Sequence, residues 1–173
     1  MKSLLALLFV TAGGLARAQD VPLEYQVKAA YLFNFTRFVD WPPGAFSGAE
    51  PITICVAEMN PFGPVLSSTL VGETAAGRPL ASRVVRNAAS ACHVLFIPRG
   101  VPAAAHLRGI AMQPVLTVGE SPDFLRQGGM INFVLEEGRV RFEINREAAS
   151  RSRLTISARL LQLARPPEQP GPR

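Results

Sequence analysis

Few side chains in this 173-residue chain are placed to do covalent chemistry. His93 sits inside the apolar run 92–98 and reads as a satisfied core or edge residue, while His106 sits on an Ala-rich stretch and reads as solvated. Cys55 lies between Ile54 and Val56, an inert setting, because reactive thiols occupy electropositive, part-exposed surroundings. No G-x-S-x-G elbow and no G-x-x-x-x-G-K phosphate loop is present. No carboxylate pair has an acid–base spacing, and two Cys with two His at no ligand-like spacing do not make a metal site. The sequence therefore assigns no catalytic residue, no metal and no cofactor, and it points away from an enzyme. A binding crevice fits the sequence better. Open α/β sheets take ligands beyond the carboxyl ends of their strands. The residues expected there are Glu58, Arg99 with Gly100, and Glu120 with Ser121. The competing reading makes these ordinary solvated loop residues, with Ser121 only capping a helix.

The elements that must carry these positions follow from apolar periodicity and turn residues. Residues 52–58 (ITICVAE) and 92–98 (CHVLFIP) are apolar and rich in branched side chains, as buried strands are. Residues 80–86 read as a weaker strand and 114–118 as a short one. Helices are expected from Asn60-Pro61 to residue 70, over 101–112 with Leu107, Ile110 and Ala111 inward, and from Ser121-Pro122-Asp123 to the stop at Gly128-Gly129. Residues 130–135 and 139–144 form a hairpin about Glu137-Gly138, with Val140, Phe142 and Ile144 inward and Arg139, Arg141 and Glu143 outward. Asn145 opens a final helical region reaching 164. Strands alternating with helices imply a three-layer α/β/α sandwich on a mostly parallel sheet of about six strands, closed by the antiparallel hairpin.

The first eighteen residues read as a secretory signal. Lys2 supplies the positive start, 4–10 the apolar run, and Ala16-Arg17-Ala18 the small-residue site, with cleavage expected between Ala18 and Gln19. The run is too short to span a bilayer, which takes about 20 apolar residues. Export to the periplasm is the expectation, with a single domain over 19–164 and a disordered tail over 165–173, where four of nine residues are proline. Loss of Lys2 and Arg17 lowers the formal charge from +5 to +3. The remaining basic residues are scattered, so nucleic-acid binding gains no support. An oxidising compartment and an even count favour a disulfide between Cys55 and Cys92; two buried thiols inside strands are the alternative.

The most informative segment is 23–42, LEYQVKAAYLFNFTRFVDWP. Trp41-Pro42-Pro43-Gly44 ends it as a helix. An ordinary surface helix keeps one apolar stripe. This one has a stripe of Tyr25, Ala29, Leu32, Thr36 and Val39, and a second of Val27, Tyr31, Asn34, Phe35 and Phe38. Either both sides are buried in the protein's own core, or one meets a partner, with Tyr31, Phe35 and Phe38 as the candidate surface.

With these pieces in place, the chain resembles the YfiR family of periplasmic proteins. The resemblance rests on Tyr25-Gln26-Val27-Lys28-Ala29-Ala30-Tyr31-Leu32 with Asn34-Phe35, Phe38-Val39 and Trp41-Pro42. It continues through Ile54-Cys55-Val56, Pro61-Phe62-Gly63, Gly77-Arg78-Pro79, Cys92-His93-Val94-Leu95-Phe96-Ile97, Val115-Leu116-Thr117-Val118, Gly128-Gly129-Met130-Ile131, Val140-Arg141-Phe142-Glu143-Ile144-Asn145 and the closing segment 154–164. It implies a regulator of cyclic di-GMP and biofilm formation: a repressor that binds the periplasmic domain of an inner-membrane diguanylate cyclase and is sequestered by an outer-membrane lipoprotein. It also implies a homodimer, redox response through disulfides, and a link to small-molecule binding. Cys55 and Cys92 match one of the family's disulfide pairs; its second pair is missing here, so a structural bond is implied more than a redox sensor. The alternative function is a periplasmic small-molecule-binding sensor serving another signalling or transport system.

Overall fold

The computed structural model describes residues 21–86 and 92–166. The expected leader, with its Ala18–Gln19 cleavage site, and the tail beyond 166 lie outside those residues. The chain runs α1 (Leu23–Arg37), β1 (Val39–Asp40), β2 (Ile52–Ala57), α2 (Val65–Leu70), β3 (Thr74–Ala75), β4 (Arg78–Val85), β5 (Val94–Ile97), α3 (Ala103–Gly109), β6 (Leu116–Gly119), β7 (Ile131–Glu136), β8 (Arg139–Ile144), α4 (Arg146–Arg151), β9 (Thr155–Ile156) and α5 (Ala158–Leu163). Seven strands form one sheet in the order β3-β4-β2-β5-β6-β7-β8. β4, β2, β5, β6 and β7 are parallel, and the edge strands β3 and β8 are antiparallel. The expected α/β architecture, mostly parallel with a C-terminal hairpin, is thus borne out, with one strand more than the six expected.

Period-two alternation sorts the strand residues onto the two faces. Ile54 and Val56, Val94 and Phe96, Leu116 and Val118, and Ile131 and Phe133 face the larger core, which also takes residues from α1, α2, α4 and α5. Cys55, Ala57, Leu95 and Ile97 face the smaller core under α3, with Val101, Leu107, Ile110 and Phe124. Cys55 and Cys92 are bonded there, with Cα atoms 5.7 Å apart, tying β2 to the residue that leads into β5.

Several local expectations are corrected. The first helix stops at Arg37, because Val39–Asp40 leaves helical geometry to pair antiparallel with Thr155–Ile156. That pairing also divides the expected 145–164 helix, and Ser157 caps the short helix that follows. Residues 61–64 are turns rather than helix, and so are 122–128. Phe124 explains the second case. Its ring is fully buried between Gly119 and Gly129, and a Cβ on either glycine would run into it. The segment is pinned by this ring and not by continuing a helix.

Glu143 is not an outward polar residue. It is buried, Arg165 lies 3.6 Å away, and Arg165 N–H donates to the Phe142 carbonyl at 2.9 Å. Arg165 therefore belongs to the fold and not to a disordered tail. His106 is buried on α3, with Nε2 3.0 Å from a Glu58 carboxylate oxygen, so it is not solvated. His93 accepts a hydrogen bond from Thr53 N–H on Nδ1 at 3.0 Å and stacks on Phe46. Burial lowers its pKa, which favours the neutral ring.

The bonded pair makes a direct prediction. Alkylation of the native protein without reductant adds no mass, and two labelled thiols would contradict the bond. Reduction lowers the unfolding free energy by about 3–4 kcal/mol, as expected for freeing a closed loop of this size, measured by urea titration with and without reductant.

Candidate functional site

The two apolar sides of α1 are both used internally. Ala29, Leu32 and Thr36 are buried against the sheet, and so is Phe35 from the second stripe. The Phe35 ring lies 5.7 Å from that of Phe133 on β7 and 5.2 Å from that of Phe142 on β8. Tyr31 extends the cluster at 5.4 Å from Phe142. Phe35 is 0% exposed, so it leaves the candidate partner surface, whereas Tyr31 and Phe38 are half-buried and keep an accessible edge. Leu23, Gln26, Ala30 and Arg37 form the outward face of the helix.

The same helix carries a charge into the core. Lys28 is 1% exposed, and its Nζ lies between the carboxylates of Glu24, one turn earlier, and Glu120, just after β6. Glu120 Oε1 also accepts from the Tyr25 hydroxyl at 2.9 Å and from the Arg99 backbone N–H at 2.7 Å. The ammonium stands 4.8 Å from the centre of the Tyr25 ring and 5.7 Å from that of Phe133. A buried cation is tolerable only when it is paired and hydrogen-bonded in this way. Burial pushes the Tyr25 phenol well above its ordinary pKa, and the charge and hydrogen bond of Glu120 push it the same way. The network joins α1 to the carboxyl ends of β5 and β6, the edge at which an open parallel sheet takes ligands.

Beside it an open cleft of about 1280 Å³ is lined by Arg99, Glu120 and Ser121, by the turn segment that follows, and by β7, β8 and Arg165. Three of the five residues expected at a ligand crevice therefore come together. Gly100 is an exposed turn residue beside them, and Glu58 lies apart against α3 with His106. Sequence reasoning missed Lys28, Asn132, Glu143 and Arg165. Only the Glu24–Lys28 spacing, four residues apart on one helix, gave a local signal; the partner Glu120 is 92 residues away. Among the described residues no group of His, Cys, Asp and Glu is arranged to hold a metal ion, and no helix is long and apolar enough to cross a membrane.

The sequence matches the YfiR/HmsC-like family over residues 25–165, which spans both the buried lysine network and the cleft. The chain belongs to the YfiR/HmsC-like family. This family is regulatory rather than catalytic, is periplasmic, and is tied to diguanylate cyclase signalling. No curated protein matches the chain. Residue 25, where the family match begins, is the tyrosine whose hydroxyl reaches Glu120.

Two outcomes follow from the network. Lys28→Met leaves Glu120 buried without its counter-charge and costs about 3–5 kcal/mol of stability. Adding Glu120→Gln restores much of that loss, with a coupling of about 1–3 kcal/mol in a urea double-mutant cycle; additive losses would contradict the pairing. The second outcome concerns pH. The folded state holds the Tyr25 proton to higher pH than the unfolded chain does. The contribution of this group is therefore intact below the ordinary phenol pKa of about 10 and is lost as pH rises above it. Between about pH 9 and pH 11 the native protein loses more stability than Tyr25→Phe does, read from unfolding curves at each pH.

Proposed function

We propose that this protein is an exported repressor of a membrane diguanylate cyclase, acting by binding the cyclase's periplasmic domain and so lowering cyclic di-GMP and biofilm formation. The observation that carries this reading is membership of a regulatory family across nearly all of the described chain. Repression requires preference for one state of the target, because equal affinity for two states shifts neither. A helix locked to the sheet on one side and exposed on the other is suited to present such a surface, since little ordering is lost on binding. In this reading the contact is made by the outward face of α1, with the accessible edges of Tyr31 and Phe38 and the exposed Leu23. A sequestering outer-membrane lipoprotein would relieve repression by competing for an overlapping surface, and a second copy of the chain would use the same helix in a homodimer.

Deletion of the gene is expected to raise cellular cyclic di-GMP, and the mature protein is expected to capture a membrane cyclase identified by mass spectrometry. Tyr31→Ala with Phe38→Ala should weaken that capture at least tenfold while the protein stays folded, a loss of about 1.4 kcal/mol or more. Unchanged nucleotide levels with no cyclase captured would overturn the reading.

A further inference from the structure

The cleft holds polar groups that a contact through α1 does not involve. Along β7 and β8, Ile131, Phe133, Phe142 and Ile144 enter the core shared with α1. Asn132 alternates with them and so faces the other side, toward the cleft it lines. Asn132 is 2% exposed, yet its Oδ1 has no hydrogen-bond donor among the described residues. A buried acceptor without a donor costs stability, which an apolar side chain of similar size would not. Directly across the ladder stands Glu143, also buried and lining the cleft, with Arg165 beside it. The floor therefore holds an acceptor without a donor beside an ion pair.

The rim carries charge of both signs, and its Asp123 is paired with Arg126. Among the described residues Arg146, exposed at the start of α4, has no carboxylate partner, and the Arg99 guanidinium has a long one, Glu24 at 3.9 Å. At about 1280 Å³ the space exceeds the roughly 300–1,000 Å³ of ordinary small-molecule sites, so it holds more than a lone ion. An unpartnered acceptor below and the guanidinium groups of Arg99 and Arg146 above fit a molecule that donates a hydrogen bond at one end and carries negative charge at the other.

We propose that the β7–β8 cleft binds a small hydroxylated organic anion, a sugar acid or sugar phosphate by class, with a hydroxyl donating to Asn132 Oδ1 and the anionic group taken by Arg99 and Arg146. The site stands whether or not the cyclase reading does, because its test contains no partner protein. Calorimetric titration of the mature protein with glucuronate and with glucose 6-phosphate, using glucose and acetate as controls, distinguishes a carboxylate from a phosphate ligand. At least one of the two sugar anions is expected to bind about tenfold or more tighter than either control. Arg146→Gln, an exposed change, should weaken that binding about tenfold. Asn132→Leu should abolish it while raising the melting temperature, because the unpartnered acceptor is gone. The proposal is overturned if neither sugar anion binds at millimolar concentration, or if Arg146→Gln and a folded Asn132→Leu both bind as the native protein does.

Discussion

The buried ammonium of Lys28 constrains the whole carboxyl end of this fold. Nearly all of it is out of water, and among the described residues its compensation comes from Glu24, Glu120 and the faces of two aromatic rings. Charge buried this deeply is held only if its partners arrive in fixed positions. Glu120 is fixed by the end of β6, by the Arg99 amide after β5 and by the Tyr25 hydroxyl on α1. Three elements far apart in the chain must therefore be in register before the network closes. The register of α1 along the sheet is set by this lock as well as by the Phe35–Phe133–Phe142 packing beside it.

A second constraint acts next to the first. Phe124 fills the space that side chains on Gly119 and Gly129 would need, which anchors the 122–128 turns against the smaller core. Those turns form one wall of the cleft, and Glu120, which stabilises the lysine, lies at its edge. The cleft thus keeps its shape from two independent anchors, one ionic and one apolar. The outward face of α1 and the cleft are different surfaces joined by one network, a suitable arrangement for a regulatory protein.

Much of this was legible in the sequence, and the parts that were not share a cause. The strands at 52–57, 94–97 and 131–144 declare themselves by branched apolar side chains and by the Glu137-Gly138 turn, since burial dictates those choices locally. The resemblance carried by 25–32 and the following motifs identifies the family, which the match over 25–165 shows. Signals fail where a distant contact overrides local propensity. Ser121-Pro122-Asp123 is a good helix start, yet the Phe124 ring between two glycines holds turns there. Residues 145–164 have helical composition, yet pairing of Thr155–Ile156 with Val39–Asp40 interrupts them. Glu143 fits an outward position in an alternating strand, yet it is buried with Arg165, 22 residues later, among its partners. Lys28, Glu143 and Arg165 have partners that lie across the fold, and a single sequence holds no record of such pairings; the burial of Asn132 likewise follows from the packing around β7 and not from its neighbours in the chain.

Hydrogen exchange on α1 tests the lock most directly. If Lys28 joins this helix to the sheet, amides in the middle of α1 exchange only through global opening, with the same free energy as those of β5 and β6. Local opening of α1 at a free energy well below that of the central strands would contradict the account, because it would mean that the helix leaves the sheet while the buried charge network is said to hold it.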